Sequence, residues 1–188
     1  MRRPFVVLFL VVLLVIAAIL LLTGGGDEKK SPTADSFVKA LPDYAITNAT
    51  VSLTQDGSVN GDDAHRAIRI TIGRLQRQLD IIQGYSGKVI NSYQFYNSEE
   101  AYAVFLRAID YAGFLTAKKN YKLTDERGLC PLGTRFIYVL EDRGDEISRL
   151  WAASCEKMGS SNGSKSMLLS LFKAQITDYS KLTSGVDL

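Results

Sequence analysis

Histidine and tryptophan each occur once in this 188-residue chain, and cysteine twice. These scarcities remove most familiar chemistry. One histidine and two distant cysteines cannot supply the three or four closely spaced ligands of an ordinary structural zinc site. Any Ser-His-Asp or Cys-His mechanism would have to run through His65, which follows Gly61-Asp62-Asp63 near the start of a strand pattern and reads as a surface or hydrogen-bonded structural residue. Neither G-x-x-x-x-G-K-S/T nor G-x-G-x-x-G occurs, so no nucleotide loop and no cofactor are expected. The paired carboxylates Asp62-Asp63, Glu99-Glu100, Glu141-Asp142 and Asp145-Glu146 fall in turns or caps, where they are solvated turn formers rather than an acid/base pair. A charge excess is missing too. Beyond Arg2 and Arg3 the chain is formally neutral, whereas a nucleic-acid binder needs a basic excess or stripe. No nucleic-acid partner is expected.

What is present begins at the N-terminus. Residues 5 to 22 read FVVLFLVVLLVIAAILLL, and at about 1.5 Å rise per residue a helix of that length nearly matches the hydrocarbon core of a bilayer. The run exceeds the core of a cleavable signal, and no small-x-small site follows Leu20 to Thr23. An uncleaved signal anchor over residues 1–22, embedded in the lipid bilayer through residues 5–22, is therefore expected, with a cleaved signal peptide as the competing reading. Arg2 and Arg3 favour a cytoplasmic N-terminus, opposed by Lys29, Lys30 and Lys39 on the other flank. Residues 23–41, with Gly24-Gly25-Gly26 and a charged, apolar-poor stretch, read as a flexible linker. Residues 42–188 form one stretch of ordinary domain size, with no internal repeat.

Within that stretch the first third alternates as strands do. Thr50 to Thr54 and Ile68 to Ile72 flank the turn chemistry of Asp56-Gly57 and Asn60-Gly61, giving a hairpin with a long tip. Ile68, Ile72, Leu75, Leu79 and Ile82 also fall at helical spacing, so strand and helix compete over residues 66–82. Gly73 and the β-branched isoleucines favour strand. Leu79 and Ile81 continue on a third strand, and Gly84 to Gly87 turn into a fourth over Val89 to Tyr96. Arg66, Arg69, Arg74 and Arg77 are expected on the wet side of these strands.

Asn97-Ser98-Glu99-Glu100 has a capping-box pattern with Asn97 as the cap, leading into a helix with Tyr102, Phe105, Leu106 and Ile109 on one face and Gly113 at its end. Arg135 to Leu140 is apolar on both faces, as in a central strand. Asp142-Arg143-Gly144-Asp145 turns the chain into Ile147 to Ser154, and a final helix follows Ser164. That hairpin places Cys130 just before one strand and Cys155 just after its partner, so the two are expected to form a disulfide. Such a bridge fits an oxidising, extracytoplasmic compartment; two buried free thiols would be the alternative. The fold class expected is α+β, a largely antiparallel sheet covered by two helices.

Gly84-Tyr85, Ala101-Tyr102 with Phe105-Leu106, Gly113-Phe114, Arg127-Gly128-x-Cys130-Pro131-x-Gly133, Leu150-Trp151 with Ser154-Cys155, and Leu171-Phe172 with Gln175-Ile176-x-Asp178-Tyr179 make a pattern. It resembles that of uncharacterised single-pass envelope proteins of Saccharibacteria-type reduced-genome bacteria. The resemblance implies a location in the cytoplasmic membrane with the C-terminal domain outside, and no catalytic residues. The function expected is a binding or structural module of the cell envelope, with an envelope protein or glycan as partner. A sortase-like transpeptidase or hydrolase using Cys155 and His65 is an alternative, although no arginine follows Cys155 to hold an oxyanion. A pilin-like assembly subunit is another, although the apolar run lacks an acidic residue near its start.

Overall fold

The computed structural model describes residues 39–122, 125–155 and 158–188. The expected span and all but the last three residues of the expected linker lie outside them. Among the described residues no helix is long and apolar enough to cross a membrane. Leu41, read from sequence as the end of the linker, instead opens a 3-10 helix, Leu41–Ile46, and is fully buried.

Six strands follow: β1 (Thr50–Asp56), β2 (Arg66–Gly73), β3 (Gln76–Gln83), β4 (Lys88–Tyr96), β5 (Arg135–Asp142) and β6 (Asp145–Ala153). They form one antiparallel sheet in the order β4-β3-β2-β1-β5-β6. Residues 66–73 and 76–82 are thus strand, turning at Arg74-Leu75, and β1 is central because β5 returns to pair along its whole length. Helix α1 (Glu99–Tyr111) connects the two halves, and α2 (Lys165–Lys173) and the short α3 (Tyr179–Leu182) end the chain. The fold is α+β, with a six-stranded antiparallel sheet and few helices.

The period of two in each strand decides what each face meets. Val51, Leu53, Ile68, Ile70, Ile72, Leu79, Tyr138 and Leu140 point one way and pack with Tyr102, Phe105, Leu106 and Ile109 of α1 and Leu168 and Phe172 of α2. Phe172 meets Phe105 edge-on at 5.1 Å between ring centroids. Gln55 is a buried polar residue on this face, and it donates to the Tyr179 hydroxyl at 2.7 Å. Burying an amide there is tolerated because it is hydrogen-bonded.

Helix α1 is capped differently from the sequence reading. The N-cap is Ser98, whose Oγ accepts from the Ala101 amide at 3.2 Å. Asn97 instead donates from Nδ2 to the Gly73 carbonyl at 2.7 Å, tying the helix entry to the end of β2. Gly113 does end the helix, at φ +83°.

The opposite face is divided. Over β5 and β6 a second, small core gathers Ile137, Val139, Trp151 and Ala153 beneath Tyr121, Leu129 and Met158. The covering loop is held by the Cys130–Cys155 disulfide, whose Cα atoms are 5.7 Å apart. This explains why β5 is apolar on both faces. Over β1 and β2 no element among the described residues lies on the sheet, and a concave surface is left.

Candidate functional site

The concave surface is a cleft of about 420 Å³. Its floor comes from alternate residues of the central strands. Ser52 and Thr54 of β1 face the same way as Arg69 and Thr71 of β2, because Thr54 lies opposite Arg69 and Ser52 opposite Thr71. On β5, Ile137 lies opposite Thr54 and Val139 opposite Ser52, adding two apolar side chains. Strand positions make a rigid floor, which suits recognition better than loops would.

Only one of the four arginines read as the wet side of the strands lies on this floor. Arg77 faces the helix side of the sheet, donating to the carbonyls of Tyr96 and, at 2.9 Å, of Gln175 past the end of α2. Arg66 turns to the carbonyls of Asp63 and His65, and Arg74 pairs with Glu99 in the turn beyond β2. Arg69 alone is exposed on the open face, and among the described residues it makes no hydrogen bond or ion pair. Its cross-strand neighbour on β3 is Asp80. That carboxylate is 5% exposed and accepts from Gln78 Nε2 at 2.8 Å and Ser92 Oγ at 2.6 Å.

One lip of the cleft is built around His65. The ring is 2% exposed, with Nδ1 at 3.1 Å from the Ser58 carbonyl and Nε2 at 2.8 Å from Asp56 Oδ1. The other Asp56 oxygen accepts from Arg135 Nε at 2.8 Å. Arg135 is itself 2% exposed and gives its remaining donors to the Gly57 and Leu129 carbonyls. A buried guanidinium is tolerated when paired and hydrogen-bonded in this way. Tyr85 stacks on His65 at 4.2 Å between centroids. Its hydroxyl donates to the Asn60 carbonyl at 2.9 Å and accepts from the Asn60 amide at 3.0 Å. The turn beneath it needs Gly84: φ is +71°, and a Cβ there would lie 2.8 Å from the Asp62 carboxylate. That same carboxylate accepts from the Tyr85 amide at 2.7 Å.

The other lip is the disulfide-held loop. Glu126, 6% exposed, is paired with Arg149 of β6. Arg127 projects into the cleft mouth and is joined to Asp125, Nε to Oδ2 at 2.9 Å. Hydrogen bonds and charge from Arg127 lower the Asp125 pKa to about 2. Glu141 and Glu146 mark the far end of the cleft.

The groups a transpeptidase reading needs are committed elsewhere. Both thiols are in the disulfide, and each His65 ring nitrogen faces a protein oxygen. Among the described residues no cluster of three or more His, Cys, Asp or Glu could hold a metal ion. The sequence reading found His65 and the cysteine pair but missed Asp56, Tyr85, Arg135 and the isolation of Arg69. An arginine opening a strand whose next five residues are all apolar, as Arg135 does, was the one local signal of a buried carboxylate nearby. Comparison with protein-family models, with curated proteins and with solved structures finds no match for this chain.

Proposed function

We propose that the protein is a membrane-anchored, extracytoplasmic binding module of the cell envelope and that the open-face cleft is its recognition surface. The observation that carries the reading is the asymmetry of the sheet. Helices close one face into the main core, while the other keeps a preformed concave floor of hydroxyls and one uncommitted arginine between two braced lips. A site that is concave and rigid, with a few convergent polar groups, is what ligand recognition requires. Binding is favoured over the sortase-like alternative because neither the Cys155 sulfur nor a His65 nitrogen is free to react. The apolar run at residues 5–22 supports the anchor, and the disulfide supports an oxidising compartment.

The test is co-sedimentation of the full chain, in detergent micelles, with isolated envelope material. Ser52→Trp fills the floor and abolishes the interaction. Val104→Trp, on the exposed side of α1, leaves it intact. Equal binding by both variants rejects the cleft as the surface. For the orientation, protease added to spheroplasts degrades the domain; protection until the membrane is breached reverses the topology.

A further inference from the structure

We propose, resting on the binding-module reading above, that the cleft takes an acidic saccharide: its carboxylate or phosphate seats on Arg69 and its hydroxyls on Ser52, Thr54 and Thr71. Three features of the floor carry this. The first is the state of Arg69. The other guanidiniums lining the cleft, Arg127 and Arg149, already hold carboxylates, and the oxygens of the adjacent Asp80 are occupied by Gln78 and Ser92. The guanidinium of Arg69 is therefore left to solvent inside the concavity. A planar fork of N–H donors matches a carboxylate or phosphate in two parallel hydrogen bonds.

The second feature is the hydroxyl row. Among the described residues the side chains of Ser52, Thr54 and Thr71 make no hydrogen bond to protein. A hydroxyl both donates and accepts, so three of them around one arginine suit a ligand whose own surface is mostly hydroxyl. The third is the pairing of apolar with polar lining. The Tyr85 ring at the lip, 54% exposed, offers apolar surface to the C–H face of a sugar ring, as amphipathic aromatics do at wet sites, while Ile137 and Val139 on the floor, 7% and 8% exposed, add only their edges. Glu141, which makes no ion pair among the described residues, repels an anion from the far end, where Glu146 is already paired with Arg149 at 3.6 Å. The acidic group is thereby registered at the Arg69 end.

The probes are a short oligogalacturonate, a phosphorylated maltotetraose and neutral chitotetraose, titrated into the isotope-labelled full chain in micelles and followed by NMR. The first two separate a carboxylate source from a phosphate source. At least one binds, shifting resonances of Thr54, Arg69 and Thr71, and chitotetraose binds at least tenfold more weakly. Loss of charge-assisted hydrogen bonds in Arg69→Gln weakens the acidic probe by about tenfold to a hundredfold, and Thr54→Val weakens it to a smaller degree. Since Arg69 is exposed and has no hydrogen-bond or ion-pair partner among the described residues, the variant spectrum otherwise overlays that of the parent. Overturning results are binding of neither acidic probe at millimolar concentration, equal affinity for chitotetraose, or affinity unchanged in Arg69→Gln. Envelope co-sedimentation that survives Arg69→Gln but not Ser52→Trp defeats the acidic-saccharide assignment and leaves the module reading standing. Absence of co-sedimentation by the parent chain defeats the module reading itself.

Discussion

Removing the disulfide is the perturbation whose size follows most directly from the fold. Cys130 and Cys155 are 25 residues apart, and closing a loop of that length in the unfolded chain gives about 3.5 kcal/mol at 25 °C in the chain-entropy model. A domain of this size has only about 5–15 kcal/mol in total, so the bridge is a large fraction of it. The paired variant Cys130→Ala/Cys155→Ala, compared with the oxidised parent by urea denaturation, should lose about 3.5 kcal/mol. Its m value should rise, because the unbridged unfolded chain exposes more surface. The loss should also have a local signature. Pro131 accepts from the Val59 amide at 2.7 Å, linking the bridged loop to the tip of the first hairpin, so the Val59 amide should exchange faster in the variant than amides of β1. A loss below about 1 kcal/mol would refute the claim that the bridge constrains the unfolded chain. Unchanged exchange at Val59 would refute the claim that it holds the cleft wall.

Further substitutions separate the contributions of individual polar groups. Asp56→Ala strands the Arg135 guanidinium, 2% exposed, and should cost about 3–5 kcal/mol; Asp56→Ala/Arg135→Met should recover part of that in the same denaturation assay, and an equal or larger loss would contradict the pairing. The Tyr102 hydroxyl donates to the Ala49 carbonyl at 2.8 Å, whereas the buried Tyr138 hydroxyl has no partner among the described residues. Tyr102→Phe should therefore cost about 1 kcal/mol while Tyr138→Phe is neutral or stabilising, and equal costs would contradict this. The Asp125 carboxyl should titrate at about 2 by carbon-detected NMR and return toward the usual carboxylate range in Arg127→Gln. Because its folded value is the lowered one, its contribution to stability is present above its unfolded pKa near ~4 and fades as pH falls toward ~2. The contribution is small because the pair is exposed.

The sheet was legible in the sequence because period-two alternation and turn chemistry are local. Ile68, Ile70 and Ile72 with Gly73 outweighed the helical spacing that also runs through them, and the Cys130–Cys155 pairing followed from counting along one hairpin. The cap of α1 was misplaced by one residue, since Asn97 and Ser98 are both good caps and only the Gly73 carbonyl decides between them. Arg77 was assigned to the wet face because it is charged, although it shares the parity of Leu79 and Ile81 and so lies on the helix side, opposite Ile72. The site was far less legible. Asp56 and Arg135 are 79 positions apart and meet only because β5 returns to β1, so no local pattern joins them. The freedom of Arg69 likewise depends on Gln78 and Ser92 occupying Asp80, a contest among three strands that spacing alone does not resolve.

The central claim is that the open sheet face, and no other surface, makes the contact with the envelope. Three exposed tyrosines report on three regions: Tyr85 on the cleft lip, Tyr96 at the end of β4, and Tyr111 at the end of α1. Hydroxyl-radical footprinting of the full chain, free and bound to isolated envelope material, reads all three in one experiment. The account predicts that Tyr85 loses reactivity on binding while Tyr96 and Tyr111 keep theirs. Protection of Tyr96 or Tyr111 with Tyr85 unchanged would contradict it.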